Sequence, residues 1–217
     1  EQYIGFEQKG KLITFNPKSH VRMFPSFQPE ADGVTFHLKA VYTDTLRNEY
    51  SKEHSTHPIR MSRICGPVEV VNDTTFTVRF YRMGLDNPKR TGGICLMASV
   101  KQDHKYRSAV QQVEIRIPYR NKEGIPQRII FPKLSDVKAS VKEISLNGTA
   151  DSGLPVYYYV KEGPAEIKGD KLVLTKIPPR AKFPVKVTVV AWQYGRSGEP
   201  KVQTAEAVEQ SFYITAR

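Results

Sequence analysis

Four groups of residues carry the chemistry from which sites are built. Tyr157, Tyr158 and Tyr159 stand in a row, and Trp192 and Tyr194 follow further on. Exposed aromatic rings of this kind stack on sugar rings or dock a neighbouring domain. On a strand, side chains alternate between faces, so the three tyrosines cannot all point inward. Glu49, Glu53, His54 and His57 form a second group, with carboxylate and imidazole ligands at partly helix-like spacing. No fourth ligand or surrounding strand fixes them, so the expectation is a solvated loop and no metal site. Cys65 and Cys95 are the only cysteines. Two thiols cannot make a disulfide-dense scaffold or a four-ligand zinc site, and allow one bridge at most. Finally, Ser, His and Asp residues occur without a nucleophile elbow, a phosphate-cradling glycine loop or a Cys-His motif in a supporting context. Carboxylates such as Asp136 and Glu143 fall in loop or exposed strand positions. The expectation is a protein with no catalytic residues and no cofactor.

The elements that position these residues come in two copies. Pro58 is followed by seven residues, then Gly66-Pro67 and Val68-Glu69-Val70. Pro155 is followed by seven residues, then Gly163-Pro164 and Ala165-Glu166-Ile167, at a constant offset of 97 positions. A duplicated domain follows. The copies predict strands at 11–15 and 127–131, each stopped by proline. Alternating strands follow at 34–42 and 144–150, then the Pro-to-Gly-Pro stretch, then strands at 75–81 and 171–175. Polar or proline-rich connections at 82–91 and 176–184 lead to the most apolar strands, 93–99 and 185–192. Each copy closes on a strand at 110–117 or 208–214. Residues 1–10 read as a polar connection to something upstream. The first copy carries a ten-residue insertion within 45–57, at a loop position. No segment sustains ten residues of helical periodicity without a proline or a β-branched cluster, so the economical core is sheet against sheet. The predicted domains are 1–122, divergent and bearing the insertion, and 123–217.

The totals agree with this division. A chain of 217 residues accommodates two domains, each large enough for its own core. Its net charge of +11 raises the question of an anionic partner. Residues 1–126 carry 19 basic and 13 acidic side chains, and 127–217 carry 14 and 9, so the excess is spread and no nucleic-acid role is expected. No apolar run approaches the roughly 18–20 residues of a bilayer span. The chain, starting at Glu1 without a signal-peptide pattern, reads as a piece of a longer product.

The second copy resembles the bacterial immunoglobulin-like (Big/MBG-like) domains that occur in tandem on secreted and surface proteins, of the Bacteroidetes type. The residues that carry the resemblance are Ala150-Asp151-Ser152-Gly153-Leu154-Pro155-Val156, Tyr158, Gly163-Pro164-Ala165, 187–191 and Ala207-Val208-Glu209-Gln210-Ser211-Phe212. The first copy looks like a divergent member that keeps Pro58, Gly66-Pro67, Ala98, 103–109 and Val110-Gln111-Gln112. The resemblance implies an all-β fold of two tandem immunoglobulin-like β-sandwiches. It also implies a non-catalytic structural or accessory module of an extracytoplasmic protein, its partners being upstream domains of the same polypeptide. A carbohydrate-binding module for polysaccharide is the alternative. In such a sheet Cys95 begins the strand beside the one that Cys65 ends, so the two are a possible disulfide. If Tyr158 takes the core position, Tyr157 and Tyr159 share the outer face with Trp192 and Tyr194 as a possible ligand surface.

Overall fold

The computed structural model describes residues 1–13, 23–81 and 84–216. Among them there are strands and turns and no α-helix, as expected where β-branched and aromatic residues alternate with polar ones. No helix of the described residues is long and apolar enough to cross a membrane. The chain divides into two compact units, Glu1–Arg79 with Thr91–Tyr119, and Phe80–Arg90 with Arg120–Arg217. The division falls a few residues before the expected 122/123. Segment Phe80–Arg90, although framed in sequence by the first unit, belongs to the second.

The first unit contains β1 (Tyr3–Gln8), β2 (Lys11–Leu12), β3 (Thr35–His37), β4 (Lys39–Thr43), β5 (Arg60–Cys65), β6 (Val68–Val70), β7 (Thr75–Val78), β8 (Gly93–Val100) and β9 (Ala109–Arg116). They form sheets of order β2-β1-β4, β3-β7-β6 and β5-β8-β9. Strand β8 alternates strictly, burying Ile94, Leu96, Ala98 and Val100 while Cys95 and Met97 stay half-exposed. Phe36 and Phe76, opposite each other in register, stack at 5.5 Å within the core.

The second unit contains β10 (Ile129–Ile130), β11 (Val137–Lys138), β12 (Glu143–Ser145), β13 (Thr149–Ala150), β14 (Tyr157–Glu162), β15 (Ala165–Lys168), β16 (Lys171–Leu174), β17 (Val185–Trp192) and β18 (Val208–Thr215). Its sheets are β10-β13, β11-β18-β17-β14 and β12-β16-β15, with β11 parallel to β18. One face of β17, through Val187, Val189 and Ala191, joins Leu146, Leu172, Phe212 and Ile214 in the core. The other face carries Thr188, Val190 and Trp192, which are buried as well.

The duplicated stretch folds the same way twice. Both β5 and β14 are bulged, between Arg63 and Cys65 and between Val160 and Glu162. Gly66 and Gly163 follow with φ of 97° and 103°. A Cβ on Gly66 would collide with the Gly93 carbonyl, and one on Gly163 would lie 2.7 Å from the Lys186 carbonyl. Glycine is needed at both places because the turn passes against the neighbouring strand with a positive φ. Beyond the turn, the amides of Arg79 and Thr175 donate to the carbonyls of Pro67 and Pro164.

Two expectations are corrected. Residues 1–10 are no polar connection: β1 buries Ile4 and Phe6 and pairs with β4 along its length. Gly5 there makes room for the Thr43 side chain, which a Cβ would meet at 2.6 Å. The strands expected at 34–42 and 144–150 each split between two sheets, β3 from β4 and β12 from β13. At the split, Leu38 and Leu146 are buried, and their amides donate to Thr74 and Asp170 carbonyls. Of the expected strand at 11–15, Thr14 and Phe15 lie outside the described residues, as do Arg82 and Met83 of the connection at 82–91.

Candidate functional site

Register brings the predicted aromatic residues together. Tyr157 lies opposite Trp192 and Tyr159 opposite Val190 in the β14–β17 pair, so all three side chains share one sheet face. The Tyr157 and Trp192 rings approach to 4.8 Å. Tyr158 points the other way, packing at 5.4 Å on Phe131, with its hydroxyl accepting the Gly148 N–H at 2.7 Å.

The expected open surface is nevertheless closed. Trp192 and Tyr194 are both 0% exposed. Phe80 meets Trp192 edge-on at 4.8 Å and Tyr194 at 5.6 Å. Arg90, itself buried, lies over the Phe80 ring at 4.6 Å and hydrogen-bonds Tyr194. Gly84 takes a positive φ where a Cβ would strike the Tyr159 hydroxyl, so its backbone lies directly on the tyrosine. Arg120 binds the carboxylates of Asp86 and Glu206, and the Asn121 side-chain amide donates to the Tyr194 carbonyl at 2.9 Å. Burial pushes the Tyr159 phenol up to about 12, with the nearby Glu209 and Asp86 carboxylates adding to it. Burial raises the Tyr194 phenol as well. Both therefore stay neutral across the physiological range. The indole Nε1 of Trp192 is buried without a hydrogen-bond acceptor among the described residues. Trp192 and Tyr194 are thus core residues, while Tyr157 and Tyr159 stay half-buried, and the residues that cover them were missed because no local pattern marks Phe80 or Arg90 as a cover.

The insertion within 45–57 is ordered by its own polar contacts. Asp44 accepts the backbone N–H groups of Asn48 and Glu49. The His54 ring stacks on Tyr42 at 4.0 Å and 6°, and the Tyr42 hydroxyl donates to the His57 carbonyl at 2.6 Å. Ser55 is buried and hydrogen-bonds Asp103, whose carboxylate also accepts the amides of Lys105 and Tyr106. These donors, with Ser55 first, hold the Asp103 carboxyl down at about 2. A cleft of about 390 Å³ opens beside the loop, lined by Tyr42, Tyr50, His54, His57 and Asp73 among others. Glu49, Glu53, His54 and His57 do not assemble, and no group of three metal-ligating side chains occurs among the described residues.

Cys65 and Cys95 lie directly opposite each other across β5–β8. Cys65 is exposed and Cys95 half-buried, and the two are thiols in the structure.

No protein-family profile matches this sequence, and no curated protein matches it. Among solved structures, the chain is similar to human protocadherin-24 EC1-2, at 12% identity and a TM-score of 0.33, covering 92% of this chain and 95% of that one. It is also similar to Drosophila N-cadherin EC1-4, at 10% identity and a TM-score of 0.31 over 91% of this chain, which spans about half (47%) of that fragment. Mouse cadherin-23 EC22-24 matches over 100% of this chain and 65% of its own, at 17% identity and a TM-score of 0.29. The chain is an all-β protein of two compact units, each of several small sheets, in agreement with the expected pair of tandem immunoglobulin-like β-sandwiches.

Proposed function

We propose that this tandem pair is a non-catalytic structural module of a larger extracytoplasmic protein, and that it positions or stabilises neighbouring domains of the same polypeptide. The observation that carries the reading is the burial of Trp192 and Tyr194 under Phe80. Aromatic area that a sugar-binding face would keep open is here part of a core. The resemblance to bacterial tandem domains of surface proteins supports the same role. The test is a glycan array and a polysaccharide affinity gel on the intact chain, with no saturable retention expected.

The second reading, a carbohydrate-binding module, rests on the cleft beside the insertion. Tyr42, Tyr50 and Asp73 offer rings and polar groups there, the mixture sugar sites use. Saturable glycan binding that disappears in His54→Ala, with unchanged folding, would replace the structural reading with this one.

A further inference from the structure

We infer that Cys65 and Cys95 are a cross-strand dithiol built to close into an intramolecular disulfide on the outer face of the β5-β8-β9 sheet. The first ground is register. The two residues are direct partners in an antiparallel pair, and Cys95 sits on the face of β8 opposite the buried Ile94 and Leu96. Directly opposed residues have Cβ atoms about 4.5–5.5 Å apart, and a disulfide asks for about 3.5–4.5 Å. The strands must therefore close by about 1 Å or less at this point.

The second ground is that the fold supplies that freedom here. The β5 bulge falls between Arg63 and Cys65, leaving Ile64 unpaired, and a bulge bends its strand and increases the local twist. On the other side of the pair, Gly66 already brings its backbone against Gly93 and Ile94 without a Cβ between them. The third ground is the second copy. Its corresponding bulged position is Glu162, paired with Thr188, and Glu162 makes an exposed cross-strand ion pair with Lys186 at 3.2 Å. The second copy thus places an ionic side-chain link beside its bulge, where the first copy places two thiols.

The oxidant is a small disulfide such as oxidised glutathione. The more exposed thiol, Cys65, attacks as thiolate, forming a mixed disulfide and releasing one glutathione thiolate. The Cys95 thiolate then displaces the second. Two protein thiols are oxidised, one glutathione disulfide is reduced to two thiols, and the two protons go to solvent or to the released thiolates.

The experiment equilibrates the full chain with oxidised glutathione, quenches it with acid and counts thiols in denaturant. The expected result is a fall from two thiols to none, a monomer on a non-reducing gel, and a mass lower by two hydrogens with no glutathione attached. Tryptic peptides 64–79 and 91–101 should be joined until reductant is added. The urea midpoint of the oxidised chain should rise and return on reduction. In Cys95→Ser the remaining Cys65 should instead retain a glutathione adduct. Two remaining thiols, a lasting adduct on the wild-type chain, or a disulfide-linked dimer in place of the monomer would each overturn the inference.

Discussion

At the residue scale, Phe80 decides what the aromatic cluster is for. Its ring meets Trp192 in a T-shaped contact and lies under Arg90, so truncation removes packing from both partners. Phe80→Ala should cost about 3–5 kcal/mol, the usual range for a buried aromatic reduced to alanine. Urea unfolding followed by fluorescence of Trp192, the single tryptophan, would measure it. The alternation that puts Tyr157 and Trp192 on one face was legible in the sequence; the cover was not, because Phe80 lies far away along the chain and looks like an ordinary strand end. Tyr159 adds a pH dependence. Its phenol ionises near 10 in the unfolded chain and about 12 in the folded one. The folded state keeps a proton that the unfolded state loses, so stability from this group is intact below pH 10 and falls as pH rises toward 12. Tyr159→Phe should flatten that part of the alkaline unfolding curve. An unchanged slope would mean the phenol is not shielded as the structure has it.

At the element scale, the bulge and its glycine are what duplication preserved. Gly66 and Gly163 both turn with positive φ against a neighbouring strand, so alanine at either should cost about 1–3 kcal/mol in backbone strain, and more where the neighbour cannot move. The equivalent substitution at Gly153, also at positive φ but with open space around it, should cost less. Denaturation midpoints of the three variants give the comparison. This element was legible because the Gly-Pro spacing repeats. The splitting of β3 from β4 and of β12 from β13 was not, since apolar alternation runs on through Leu38 and Leu146 while their hydrogen bonds change sheets. Strand β1 was hidden for a different reason: residues 1–10 are largely polar and patternless, and only the pairing with β4 reveals the strand. The insertion loop depends on Asp103, which holds Ser55 and the following turn. Its carboxyl is lowered from 3.8 to about 2, so its contribution is present above pH 3.8 and lost as pH falls through 2. Asp103→Asn should increase hydrogen exchange in 53–57 at neutral pH and remove that acid step.

At the scale of the whole chain, the decisive feature is that one compact unit is discontinuous. Phe80–Arg90 belongs with Arg120–Arg217, although its flanking residues belong to the other unit. A cut at 119/120 in the sequence therefore does not yield a complete second sandwich. It yields one whose sheet face of Tyr157, Tyr159, Val190 and Trp192 has lost Phe80 and Gly84, and whose Arg120 has lost its Asp86 partner. The expected behaviour of the isolated fragment 120–217 is a red-shifted Trp192 emission, binding of a hydrophobic dye, and a lower urea midpoint than the same transition in the full chain. Adding a peptide of residues 80–90 should reverse these changes only at high concentration. In the full chain the segment is held at both ends, which gives it an effective concentration that a free peptide reaches only around the millimolar range. If the fragment alone showed native emission and the full-chain midpoint, the segment would be a passive connection. The buried state of Trp192, and with it the structural reading of the aromatic cluster, would then have to be abandoned.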